Sequence, residues 1–333
     1  MIQLNEKSKN RIQIIRAIAI ISVLVIHTVG QSPYELYIRP LVNFGVGVFL
    51  FLSGFLTPRI EDVKVFYTKR ILRVFIPYLV WSLLLCVVYG DYQDLAWNLL
   101  TFQESSIYYY IFVYLQITLL VPILWKLLDA RYYWLGLAIT PVAILVEVIW
   151  ALTGHYLIYP WNINNCLVWI SFVYLGMLFR RGIIRIHGRY QQWSIVMGLA
   201  MFLEVLEGKF WLSFGREDFA TTQVKLSSMF VTGCVCVLVF FYITGLHKDE
   251  IYTEKGSKKE IFRRIVISIG DASFGIYLVH PLVIYFLRHN TGFLFPLNTI
   301  LTLILTYLCV WIGQRICGKN LGDIWDFIRL NHR

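Results

Sequence analysis

The chain has 333 residues, 58% of them hydrophobic and only 15% charged, where a soluble domain carries roughly 25% charged residues. That composition excludes an ordinary soluble enzyme and defines an all-α, polytopic integral membrane protein. The net charge of +10 does not indicate nucleic acid, because the basic residues sit in short loops between apolar runs, the distribution of a membrane topology signal.

Ten candidate spans follow, each near the ~20 residues that a bilayer helix needs. They are 11–31, 40–57, 70–89, 107–128, 133–153, 163–180, 191–208, 222–246, 265–288 and 293–316, with 163–180 and 191–208 the least apolar. They make up one transmembrane domain over 1–333. The first run has no small-residue cleavage site and reads as a span, not a cleavable signal peptide. If both termini lie on one side, that side collects 25 of the 30 Lys and Arg residues, and the positive-inside rule makes it the cytoplasm. Residues 247–264 read as a solvated charged linker on that side. Residues 207–221, with Phe210, Trp211 and Phe214, read as an outer loop, and 90–106 as an interfacial segment with Asp91, Asp94 and Glu104. Tyr108, Tyr109 and Tyr110 read as an interfacial belt. No internal repeat suggests an inverted-repeat transporter.

Ionisable groups inside spans are costly and face a partner or a wet cavity. The first span carries two, Arg16 and His27, eleven residues apart. At about 100° per residue these return to within roughly 20° of one direction, about 16 Å apart along the axis. One helix face therefore holds a cation toward the cytoplasm and an imidazole toward the other side. Arg70 and Arg73 share a face of the third span. With Arg16 they outline a basic vestibule suited to a phosphorylated cytoplasmic donor, since arginine pairs with phosphate bidentately and keeps its charge. The outer halves hold His27, His280, Glu147 and Glu204. A neutral imidazole there can take a proton from a hydroxyl and return it. His280 reads first as a structural hydrogen-bonder. Glu147, Glu204 and, second to that structural role, His280 are weak substrate-site candidates.

Other chemistries are poorly supplied. The six cysteines form no C-x-x-C pair and no zinc spacing, so they read as small buried hydrophobes and no metal is expected. There is no Gly-x-Ser-x-Gly elbow, Walker loop or dinucleotide fingerprint. Ser53-Gly54 reads as a packing point or helix interruption, not a nucleophile.

Four segments in order resemble the membrane acyltransferase-3 family. They are Arg16-x10-His27, the Phe-rich run Phe49 to Phe55 closing in Ser-Gly-Phe, the basic stretch Lys69 to Tyr78, and Tyr-Leu-Val-His-Pro at Tyr277 to Pro281. The resemblance implies a membrane enzyme of about ten helices that moves an acyl group, usually acetyl, from cytoplasmic acyl-CoA to a hydroxyl of an envelope glycan or glycolipid. It implies His27 as catalytic base, Arg16 as its paired arginine, Arg70 and Arg73 as donor-phosphate contacts, acetyl-CoA as co-substrate, and no tightly bound cofactor. It also implies a bacterial inner or plasma membrane. Many members that modify lipopolysaccharide carry a Trp-Ser-Leu-x-x-Glu motif on the fourth span, and the region Tyr110 to Gln116 here lacks its acid. That departure is similar to the compact branch acting on surface polysaccharides or teichoic-acid-type polymers. Two other classes compete: a transporter or flippase using the same intramembrane ions, and a sensor or scaffold built on the 247–264 linker.

Overall fold

A computed structural model describes residues 2–30, 32, 34–90, 92–155, 161–184, 186, 188–245 and 257–317. The described residues are helical throughout, without strands. The helices are α1 (Glu6–Thr28), α2 (Glu35–Ile38), α3 (Gly45–Phe55), α4 (Val63–Tyr89), α5 (Leu95–Thr101), α6 (Tyr109–Leu127) and α7 (Leu135–Leu152). There follow α8 (Trp161–Asn164), α9 (Ile170–Arg181), α10 (Tyr190–Ser213), α11 (Glu217–Thr221), α12 (Leu226–Thr244), α13 (Lys258–Asn290) and α14 (Leu297–Cys317). Polar side chains start several of them. Asn5 accepts from the Ser8 amide at 2.8 Å, Asp62 from the Val65 amide at 3.0 Å and Ser257 from the Glu260 amide at 3.3 Å, each satisfying a donor that a helix start leaves open.

Among the described residues, eight segments are long and apolar enough to cross a membrane. They match eight of the ten expected spans, and the other two positions show why pattern alone was ambiguous. Helix α10 has 24 residues but carries Glu204, Glu207 and Lys209. Helix α9 has only 12. Ahead of α9 the helix is broken into the short α8 and a single 3-10 turn, Cys166–Val168, a break tolerated at membrane depth only where protein supplies the missing hydrogen bonds. Here it does. Gln116 donates to the Asn164 carbonyl at 2.9 Å, Thr140 to the Leu167 carbonyl at 2.8 Å, and the Trp169 indole to the Ile163 carbonyl at 2.9 Å.

Helix α1 is the axis of the bundle. It packs against α13, α3, α12 and α14, burying Ile12, Ala17, Ala19, Ile20, Val23 and Leu24, whereas Ile18 on the remaining side is 45% exposed. Helix α4 instead exposes Val80, Leu83, Leu84 and Val87, the surface expected against lipid. Glycine sets the closest approaches. A Cβ at Gly54 would overlap the Val173 carbonyl, one at Gly176 the Phe51 carbonyl, and one at Gly270 the Gln13 carbonyl. Small residues thus bring α3 against α9 and α1 against α13, and Ser53-Gly54 is the packing point that its composition implied.

Three local expectations are corrected. The outer loop begins later than 207, because α10 runs to Ser213 and turns Trp211 inward against Phe219. Within 247–264, residues from Lys258 belong to α13, with Glu260 and Arg264 paired along it; the preceding 247–256 lie outside the described residues, as does Asp91. The three tyrosines form no interfacial belt. Tyr108 and Tyr109 are buried, and the Tyr108 hydroxyl donates to the Leu278 carbonyl at 2.8 Å, which pays the desolvation of an amphipathic ring placed in a core. Of the 90–106 segment, Trp97 and Leu100 are exposed as an interfacial helix requires, whereas Glu104 is buried.

Candidate active site

A cavity of about 400 Å³ opens between α1, α3, α4, α6 and α13. Three guanidinium groups line it: Arg16 from α1, and Arg70 and Arg73 from α4. The arginines that spacing placed on two separate helices thus meet in one space. None of the described residues lining it is acidic, so the three charges are not neutralised inside the cavity. Such a convergence concentrates positive potential in one space.

The three arginines are held differently. Arg70 reaches across to the end of α3, donating to the Thr57 hydroxyl at 2.9 Å and more weakly, at 3.4 Å, to the Ser53 carbonyl and hydroxyl. Its guanidinium also lies 5.1 Å from the Phe66 ring centroid. Arg16 has one long bond, to the Gln13 amide oxygen at 3.4 Å. Arg73 makes no hydrogen bond or ion pair with any described residue. Arg70 is therefore part scaffold, whereas Arg73 is available to a ligand.

The cavity reaches Val23 on α1. His27 lies four residues further along, on the same face, and its side chain is partly exposed. Two contacts from α13 hold it. Arg288 donates to the His27 backbone carbonyl at 2.8 Å, one of the carbonyls that a helix end leaves open. The His280 ring packs against the His27 ring with centroids 5.5 Å apart. Thr28 is bonded to Thr299 of α14 at 2.5 Å, so the end of α1 is fixed on two sides.

Glu147 and Glu204 are not brought to this site. Glu147 lies on α7 and lines no part of the cavity. Glu204 is fully buried in a separate polar cluster. Its Oε1 accepts from Asn43 at 2.7 Å and from the Ser228 hydroxyl at 2.5 Å, with the Lys225 ammonium 3.8 Å away. Lys225 also donates to the Ala220 carbonyl at 2.7 Å, and Ser227 is hydrogen-bonded to Glu207. The cluster ties α10, α12 and the segment around Asn43 together, a structural task.

Tyr110, Tyr114, Tyr277 and Ser273 line the cavity, and none of them was expected at the site from the sequence. Tyr277 had a usable signal, since it lies three residues before His280 on a helix and so on a neighbouring face. The Tyr110 and Tyr277 rings meet edge to face at 5.4 Å, and Tyr277 also packs against the His280 ring at 5.5 Å. Gln116 donates to the Asn164 carbonyl and lines no part of the cavity.

An arginine-lined cavity thus lies on one face of the first helix, with an imidazole further along that face. A family model described as an acyltransferase domain matches residues 9–315, and the chain belongs to that acyltransferase-3 family. It is a membrane acyltransferase, which sets aside the transporter and sensor alternatives. No curated protein and no solved structure gave a significant match.

Proposed function

We propose that the protein is an O-acyltransferase that moves an acyl group, acetyl foremost, from acyl-CoA to a hydroxyl of a cell-envelope glycan, glycolipid or similar acceptor. The observation that carries this reading is the meeting of Arg16, Arg70 and Arg73 in one cavity that ends a helical turn short of His27. Coenzyme A carries several phosphates at one end and its acyl thioester at the end of a narrow arm. The phosphates match the arginines, and the arm matches the apolar and tyrosine-lined remainder of the cavity. The loop charge bias supports placing both termini and the arginine end in the cytoplasm, and His27 toward the far face of a bacterial membrane. Gln116 in place of an acid supports a surface polysaccharide or teichoic-acid-type acceptor over lipopolysaccharide.

In the reaction, His27 takes the proton of the acceptor hydroxyl as that oxygen attacks the thioester carbonyl carbon. The carbon–sulfur bond breaks, and the leaving thiolate takes the proton back from the imidazolium. The products are the ester and free CoA, with no net change in the enzyme. Arg16, on the same helix face, holds donor charge in register with the base.

Thermal unfolding of the detergent-purified protein with acetyl-CoA tests the donor assignment without knowing the acceptor. A ligand that binds only the folded state adds ~2.7 kcal/mol at a hundred times its dissociation constant. Acetyl-CoA should stabilise the protein and acetyl-pantetheine, which lacks the nucleotide phosphates, should not. Equal effects of the two would refute the arginine cavity as a phosphate site.

A further inference from the structure

The stretch Tyr277 to Pro281 has a chemical consequence beyond packing. Pro281 lies inside α13, and a proline has no backbone N–H. The carbonyl four residues earlier, that of Tyr277, loses its helical donor. The His280 side chain replaces it: Nδ1 lies 2.6 Å from the Tyr277 oxygen, with the Ile276 oxygen at 3.3 Å. A carbonyl oxygen can only accept, so Nδ1 carries the proton and, in the neutral ring, Nε2 carries the lone pair. That Nε2 has no hydrogen-bond partner among the described residues, and the side chain is 0% exposed. A buried acceptor left bare requires an explanation.

Two rings lie at 5.5 Å from His280, those of Tyr277 and His27. The Tyr277 hydroxyl donates to the Ile107 carbonyl at 2.5 Å, so its proton is committed elsewhere. The His27 ring is hydrogen-bonded to no described residue. An imidazole nitrogen sits little more than a bond length from its ring centroid. No hydrogen bond joins the two rings here, but a centroid spacing of 5.5 Å leaves facing nitrogens about 3 Å apart, so rotation of the His27 ring brings one of its nitrogens within hydrogen-bond reach of Nε2.

We propose that His280 is a positioning residue for His27. Pro281 commits the His280 proton to Nδ1, and the bare Nε2 accepts from one nitrogen of His27. His27 is thereby held in the tautomer whose other nitrogen is free to take the acceptor's proton, and the imidazolium that then forms keeps a partner for its second N–H. The proposal rests on His27 acting as the base, as set out above.

Two variants separate positioning from plain packing. In His280→Gln the amide oxygen reaches the place of Nε2. In His280→Asn the amide can still donate to the Tyr277 carbonyl but falls short of His27. The full-length protein, labelled with ¹⁵N-histidine, is read by the ring-nitrogen resonances of His27, since protonated and bare nitrogens resonate apart. Turnover of acetyl-CoA, with water as surrogate acceptor, is followed by release of free CoA. The expected result is one fixed His27 tautomer in the wild type and in His280→Gln, and averaged nitrogens in His280→Asn and His280→Ala. The maximal rate should fall about 10- to 100-fold in the latter two, the usual cost of losing a group that orients a functional imidazole, with the acetyl-CoA KM unchanged. His27 resonances identical in all four proteins, or better function in Asn than in Gln, would overturn the proposal. A wild type that turns over no acetyl-CoA would count against the acyl-transfer reading alone, because the spectra still decide whether His280 holds His27.

Discussion

Arg70 and Arg73 are three residues apart on one helix and line one cavity, yet their surroundings give them different consequences on substitution. Arg73→Ala removes a side chain that is exposed and bonded to no described residue. The apo protein should keep its stability within about 0.5 kcal/mol, as for other surface changes. Its loss from a bound phosphate should cost about 1.5–3 kcal/mol, the worth of a hydrogen bond to a charged group, or roughly 10- to 150-fold in acetyl-CoA affinity. Arg70→Ala loses the same kind of contact and also the 2.9 Å bond to Thr57 that ties α4 to the end of α3. It should lower apo stability by about 1 kcal/mol besides. The assay is a pair of thermal unfolding series for each variant, without ligand and over a range of acetyl-CoA concentrations. The reasoning fails if Arg73→Ala lowers the apo melting temperature as much as Arg70→Ala does, or if it leaves the acetyl-CoA response unchanged.

Lys225→Met should destabilise the protein by about 3–5 kcal/mol, because it strands the buried Glu204 carboxylate without its counter-ion; adding Glu204→Gln should recover most of that loss, read as a double-mutant cycle in thermal unfolding. The folded double variant should still respond to acetyl-CoA, whereas a lost response would return Glu204 to the substrate site. Gly270→Ala sets a Cβ against the Gln13 carbonyl of α1 and should cost about 1–3 kcal/mol through overpacking. Because it pushes α1 from α13, turnover should fall more than the acetyl-CoA response does. Raising sodium chloride should weaken acetyl-CoA stabilisation steeply, since screening acts on partly exposed charges; a salt-independent response would argue against arginine–phosphate contacts.

Much of the site was legible because one helix carries its axis. Arg16 and His27 needed only the helical repeat to be placed on one face, and Arg70 and Arg73 only a three-residue spacing. Shared depth at the cytoplasmic end suggested a common vestibule, but that α4 brings its pair into one cavity with Arg16 is a tertiary fact that spacing along either helix does not contain. The long apolar spans were legible for the same reason, since their length and composition answer to the bilayer. Helices α9 and α10 were weaker because their hydrogen bonds and buried charges are satisfied by neighbours. Gln116, Thr140 and Trp169 support the irregular backbone before α9, and Asn43, Ser228 and Lys225 surround Glu204, pairs separated by up to 185 residues. Tyr108 to Tyr110 were misread for the opposite reason: a tyrosine suits an interface and a core equally, and the carbonyl of Leu278 that admits Tyr108 to the core lies 170 residues away. The role of Pro281 was present in the sequence as a missing N–H, but only the distance from His280 to the Tyr277 carbonyl shows what replaces it.

The central claim is that one protein takes an acyl group at the arginine cavity and hands it to a hydroxyl under the control of His27. The most direct measurement supplies radiolabelled acetyl-CoA to membrane vesicles carrying either the wild type or His27→Ala and follows label into ester-linked envelope material. Label should accumulate with the wild type when acetyl-CoA reaches the face that bears the termini. It should be absent with His27→Ala, although that variant is still stabilised by acetyl-CoA. Equal labelling by the two proteins would contradict the role of His27, and no labelling by folded wild type that binds acetyl-CoA, across the envelope acceptors present, would contradict the proposed transfer itself.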